Sequence, residues 1–179
     1  MDKQKFVVSV GAGKNQLPLI KRLVERGYNV ISFDKNINAP GKHLSYIFNN
    51  ISTWDYNNSV QWIDSLKLNV EGVLCFSYGK ALVTQQKIIE HFNLNCKLNK
   101  NVVDIMEDKK LQREILKSLN LSKLKEYYNY KDFVENQPIE YIVIKDRLGF
   151  SSNNVYLLNV KRCKNKIIEL MSNRNYIIQ

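Results

Sequence analysis

The sequence predicts an α/β protein in which a first domain built on a parallel sheet is followed by a smaller α+β region. Two observations carry this. Short apolar, β-branched runs at residues 6–10, 30–33 and 72–76 alternate with stretches whose apolar residues recur at helical spacing. The first run stops abruptly at Gly11-Ala12-Gly13, as a buried parallel strand does at a tight turn. Alternating strands and helices of this length imply parallel pairing through right-handed crossovers.

The elements follow in order. After the glycine turn, Leu17, Leu19, Ile20, Leu23 and Val24 mark a helix; Pro18 suits its first turn, and Gly27 stands where a helix stops. The second strand, 30–33, closes at Asp34. Asn38-Ala39-Pro40-Gly41 is a turn, residues 46–48 form a short third strand, and 56–66 a second helix. A fourth strand is expected at 72–76 and a helix at 80–92, with Ala81, Leu82, Ile88, Ile89 and Phe92 on its apolar side. The polar stretch 93–101 reads as the linker out of the first domain. Beyond it, helices are expected at 102–106 and 109–119. Neighbouring strands are expected at 139–145 and 155–158, a helix at 161–171 and a last strand at 176–178. No solenoid-period repeat or low-complexity tract is present.

Composition bounds the function. With 179 residues, 44% hydrophobic and 25% charged, the chain has the balance of a folded globular protein. No apolar run approaches the roughly 20 residues of a bilayer span, so a cytoplasmic protein is expected. Cys75, Cys96 and Cys163 are odd in number and lack CxxC spacing, which argues against a disulfide framework or a zinc site. The net charge of +10 would suit a phosphate or nucleic-acid partner if it were clustered. The lysines are spread instead, and Lys87, Lys117 and Lys166 fall on wet helix faces, so a solvated basic surface is the preferred reading and no nucleic-acid partner is expected.

Two groups of residues carry chemistry. Gly11 and Gly13 open a helix in the manner of a phosphate-binding turn, and Asp34 lies where a dinucleotide fold places its ribose acceptor. Gln16, however, replaces the third glycine of that fingerprint, which counts against classical NAD binding. The bland alternative is a bend with a solvated strand end. In the second group, Asp108 caps a helix whose first turn holds Lys109, with Leu111, Ile115, Leu116 and Leu119 expected to face inward. A lysine there opposes the helix dipole, a penalty that a bound phosphate would reverse. Lys145 ends an apolar strand before the small polar loop Ser151-Ser152-Asn153-Asn154. Such a hairpin can hang over triphosphate oxygens, or be only a hairpin.

The ordered series Val10-Gly11-Ala12-Gly13, Gln16-Leu17-Pro18-Leu19-Ile20, Gly27-Tyr28-Asn29-Val30-Ile31, Asp34, Ala39-Pro40, Glu71-Gly72-Val73, Asp108-Lys109, Arg113, Leu116, Pro138, Val143-Ile144-Lys145 and Ser151-Ser152-Asn153-Asn154-Val155 resembles the ATP-grasp superfamily. Its nearest flavour is the biotin carboxylase, carbamoyl-phosphate synthase and aminoimidazole-ribonucleotide carboxylase branch. The resemblance implies a Rossmann-like preATP-grasp domain over residues 1–95. Residues 96–179 would then be the first, truncated part of an α+β ATP-grasp domain. It implies ATP with magnesium as cofactor, Lys109 and Lys145 as phosphate contacts, and Ser151 and Ser152 in a loop closing over ATP. Gly11, Gly13, Gln16 and Asp34 become candidate substrate-binding residues. The implied chemistry is attack of a carboxylate on the γ-phosphate of Mg-ATP, giving an acyl phosphate that an amine or other nucleophile captures.

Two departures stand out. Asp146 follows Lys145 where the family continues Lys-Pro, and a carboxylate there would compete with phosphate for the lysine. Asn154 replaces a glycine, a change that asparagine tolerates because it accepts left-handed backbone angles. The family's metal ligands fall beyond residue 179. The expectation is therefore an amino-terminal portion of a carboxylate ligase that binds ATP weakly and is not competent alone, whether an expressed fragment, a disrupted gene product or one half of a split enzyme whose other half is a second polypeptide. The rivals are a non-catalytic nucleotide- or protein-binding module and a nicotinamide-dependent oxidoreductase.

Overall fold

The computed structural model describes residues 4–96, 98–135, 139–149, 154–172 and 175–179. They form two compact units, Met1–Glu107 and Asp108–Gln179.

The first unit is a parallel sheet with helices around it. Its strands are β1 (Phe6–Val10), β2 (Asn29–Phe33), β3 (Ile47–Asn49) and β4 (Val70–Leu74). They lie in the order β3-β2-β1-β4, every pairing parallel. β1 sits inside the sheet and is buried along its whole length, which is why it reads as an unbroken apolar run rather than an alternating one. Its one polar residue, Ser9, is accommodated because its hydroxyl donates to the Gly11 carbonyl at 2.8 Å. The helices are α1 (Leu17–Glu25), α2 (Tyr56–Ser65), α3 (Lys80–His91) and α4 (Lys100–Glu107). One core gathers Val8, Val10, Ile31, Phe33, Ile63 and Ile88; another gathers Val7, Ile20, Leu23 and Val30. Fully buried side chains such as Phe33 and Ile20 contribute about 1.5–3 kcal/mol each relative to exposure.

Most expected elements appear within two residues of their predicted ends. The fourth strand runs two residues earlier than expected, because Val70 and Val73 are the residues buried against β1, whereas Phe76 is 67% exposed. Leu94, Cys96 and Leu98, in the polar stretch read as a linker, are partly buried against the first core, and α4 packs on α3.

The second unit holds α5 (Lys109–Ser118), α6 (Tyr130–Glu135), α7 (Lys164–Ser172) and strands β5 (Tyr141–Asp146), β6 (Val155–Asn159) and β7 (Tyr176–Ile178). The sheet is antiparallel in the order β6-β5-β7, and Tyr127 makes a further antiparallel bridge to Ile178. One face of the sheet, including Ile142, Ile144 and Ile178, packs with Phe133, Ile167, Leu170 and Met171. Helix α6 was not expected; its six residues are too few for a periodic signal, and Phe133 fixes it by burial. The apolar stripe of α5 is not inward as predicted: the helix has no buried residue, and Leu119 is 59% exposed. Asn154 does adopt a left-handed conformation, with φ 55°.

Candidate functional site

In the first unit the strands deliver the glycine turn, the β2 end and the β4 end to the same rim. Gly11 has φ 95° and its N–H donates to the Phe33 carbonyl at 3.1 Å, so the turn needs glycine there. Asp34 reaches back over the turn. One carboxylate oxygen accepts the Ala12 N–H at 3.0 Å, the other the Asn36 N–H at 2.9 Å. Gln16, the N-cap of α1, makes no side-chain cap. Its side chain lies against Gly11 and Gly13, and its amide donates to the Phe76 carbonyl at 2.8 Å. The structure thus brings Gly11, Gly13, Gln16 and Asp34 together: Asp34 holds the turn through the Ala12 N–H, and Gln16 ties it to the segment after β4.

The second unit gathers cations. Asp108 caps α5, its side chain accepting the Lys110 N–H at 2.9 Å. It also pairs in bidentate fashion with Arg147, Nε to Oδ1 at 2.6 Å and Nη2 to Oδ2. That guanidinium, more than any other group, holds the Asp108 carboxyl below the ordinary range. Lys109 resolves its conflict with the helix dipole by leaving the helix end: Nζ donates to the carbonyls of Asp146 at 2.9 Å, Arg147 at 3.3 Å and Gly149. The turn after β5 is thereby fastened to the start of α5.

Lys145 lies close by. Its Nζ donates to Gln179 Oε1 at 2.5 Å, and Gln179 Nε2 donates to Glu126 Oε1. Burial lowers the Lys145 pKa first, then the charge of Arg113; Lys109 adds to the shift and Glu126 opposes it. Burial likewise lowers Lys109. The two lysines therefore share one partly desolvated neighbourhood, where a polyanion would be the natural counter-charge. The negative charge of Asp146 is felt by Lys109 rather than by its neighbour Lys145. Consecutive strand residues point to opposite faces, and the Asp146 carboxylate accepts the Leu148 N–H at 3.0 Å.

Ser151 and Ser152 lie outside the described residues. Sequence reasoning missed Arg147 and Glu126. Arg147 carried a weak signal, a cation two positions beyond Lys145. Glu126 carried none, standing alone in the basic, aromatic run Lys123-Leu124-Lys125-Glu126-Tyr127-Tyr128. Among the described residues no group of three or more His, Cys, Asp or Glu side chains could hold a metal ion. No helix among them is long and apolar enough to cross a membrane. The Cys75 thiol is pushed up to about 11 by burial, which leaves it a poor nucleophile near neutral pH.

No family model matches the sequence, and no curated protein matches it either. Solved structures do match, over nearly the whole chain. An N5-carboxyaminoimidazole synthetase from Staphylococcus aureus superposes with TM-score 0.74 at 13% identity, covering 100% of this chain and 48% of that one. The fold is that of the ATP-grasp enzymes. Within that fold, a phosphoribosylglycinamide synthetase from Anaerococcus prevotii matches with TM-score 0.67 at 20% identity, over 99% of this chain and 45% of that one. The biotin carboxylase domain of the 2-oxoglutarate carboxylase of Hydrogenobacter thermophilus, solved with MgADP, ADP and bicarbonate, matches with TM-score 0.72 at 12% identity, over 100% of this chain and 44% of that one. The chain thus spans about half the length of the ATP-grasp structures it matches, and corresponds to their amino-terminal portion.

Proposed function

We propose that this chain is the amino-terminal, phosphate-contacting portion of an ATP-dependent carboxylate ligase. In this reading the first unit is a Rossmann-like preATP-grasp domain whose glycine turn, with Gln16 and Asp34, serves the substrate side. The region beyond residue 95 opens the ATP-grasp domain. Lys145 and Lys109 meet the triphosphate, with Ser151 and Ser152 in the loop over it. The observation that carries this is the convergence of Lys109 and Arg113 from α5 with Lys145 from β5 on one neighbourhood where burial strips the lysines of water. Partly desolvated cations bind phosphate more strongly than solvated ones, because their charge is less screened. Lys109 would exchange some of its three carbonyl acceptors for phosphate oxygens.

Among the fold's neighbours, an N5-carboxyaminoimidazole synthetase from Staphylococcus aureus was solved with ADP and the biotin carboxylase domain with MgADP, which supports ATP with magnesium as the ligand. In a ligase of this kind the nucleotide supplies a phosphoryl group that turns a carboxylate into an acyl phosphate. The residues here would position and neutralise the phosphates. A metal would depend on ligands other than a cluster of the described acidic, His or Cys side chains. Isothermal titration of the chain with Mg-ATP should give a millimolar dissociation constant. Lys145→Ala should weaken it about tenfold, the loss of one charge-assisted hydrogen bond. Unchanged binding in both Lys145→Ala and Lys109→Ala would overturn the assignment.

A further inference from the structure

Glu126 has a side chain with no solvent exposure. A lone carboxylate is expensive to bury, so its partners explain why it is tolerated. Arg113 Nε donates to Oε1 at 3.1 Å and the Tyr128 hydroxyl donates to Oε2 at 3.1 Å; Gln179 Nε2 adds a third donor. Burial and the adjacent carboxylate push the Tyr128 phenol up to about 12, so it stays protonated and keeps donating.

The Gln179 amide is held between groups of opposite character. A carboxylate can only accept and an ammonium can only donate. The amide therefore has one productive orientation, Nε2 toward Glu126 and Oε1 toward Lys145. A charge at the Nε2 end polarises the amide and strengthens the hold of its oxygen on the ammonium. Around Lys145 the charged groups are Arg113 and Lys109 from α5 and Glu126 from the segment before α6. Two cations and one carboxylate surround Lys145, while Asp146 and Asp108 lend negative charge to Lys109, so the excess of positive charge lies around Lys145.

We propose that Glu126 is the positioning residue of this cluster, aiming Lys145 through Gln179 and Arg113 by direct contact so that both cations face the same polyanion. The role in phosphate binding rests on the nucleotide reading above; the positioning does not. Without Glu126, Arg113 and Lys145 would repel one another with no fixed anion nearby, and the lysine would lose its proton more readily.

The test is a pH titration of the Lys145 side-chain NMR signals in the full chain, assigned with Lys145→Arg, alongside tripolyphosphate binding measured across the same pH range. In Glu126→Gln, Lys145 should titrate at lower pH than in the parent, and the loss of affinity should widen as pH rises. Glu126→Asp should restore part of both. A merely structural glutamate would instead lower affinity by one factor at every pH, with the Lys145 titration unmoved, and that result would overturn the proposal. Should Glu126→Gln fail to fold, Gln179→Leu breaks the same link while keeping the buried charge. There the Lys145 ammonium protons should exchange several-fold faster with water, and unchanged exchange would be equally fatal. If the parent binds no tripolyphosphate while the Lys145 titration shifts as stated, the nucleotide reading fails and the positioning role stands.

Discussion

The glycine turn of the first unit and the cation cluster of the second both look like anion sites, yet they satisfy their polar groups in opposite ways. At the turn, Asp34 and Gln16 engage the backbone groups around the bend over short distances. In the cluster, Lys109, Arg113, Lys145 and Arg147 come together around Asp108, Glu126 and the carbonyls of a turn. The first arrangement sets a carboxylate and an amide beside the bend, whereas the second gathers positive charge in a partly dry place. Resemblance to a phosphate motif is therefore a weaker guide than the sign of the charge that the fold places beside it.

The largest effect should fall on the pair that ties the second unit together. Arg147→Ala leaves Asp108, which is 8% exposed, without its guanidinium and should destabilise that unit by about 2–3 kcal/mol in urea unfolding. Asp34→Asn, which keeps an acceptor at the glycine turn, should cost the first unit under about 1 kcal/mol. The reverse ranking would break the comparison.

Next comes the packing behind the turn. A Cβ at Gly41 would lie 2.5 Å from Ile20 Cδ1 and 3.0 Å from the Ala12 carbonyl oxygen, and the Gly41 N–H donates to that oxygen at 2.8 Å. Gly41→Ala should therefore destabilise the first unit by about 1–2 kcal/mol, read as a lower urea midpoint.

The pH dependence of the second unit sharpens the contrast. The carboxyl of Asp108 is held below its ordinary value of 3.8. Its contribution is complete above that value and is lost as pH falls through the lower folded-state value. The stability difference between the parent and Asp108→Asn, wide at neutral pH, should shrink progressively in acid; a gap that stays constant would contradict it.

The smallest effect has an unusual sign. Lys145 has its pKa lowered by folding, so the unfolded chain holds the proton more tightly and the native state carries a penalty until pH rises toward 10.5. Lys145→Met should raise the Tm of the second unit by roughly 2 °C while weakening tripolyphosphate binding. A fall in Tm would mean that the partners it strands, Gln179 and Glu126, matter more than its own desolvation.

Much of the fold was legible because it rests on periodicity. β1, β7 and the start of α1 follow from unbroken apolar runs and a proline in the first turn, features that act locally. Helix α6 and the true span of β4 were not legible, since burial of Phe133, Val70 and Val73 depends on partners far away in sequence. Of the candidate site, Lys109 and Lys145 were legible as cations in special local positions, and Asp108 as a cap.

By itself, the sequence determined the order of the elements other than helix α6, the glycine at the tight turn and the local positions of Lys109 and Lys145. Each is set by backbone sterics or by apolar spacing within one segment. Only the tertiary structure decided that Asp34 holds the glycine turn while Gln16 ties it to Phe76, that the Asp146 carboxylate takes up the Leu148 N–H, and that Glu126 is buried against Arg113 and Gln179. Those outcomes depend on which charges meet across tens of residues and how much water is removed, and no local pattern encodes either.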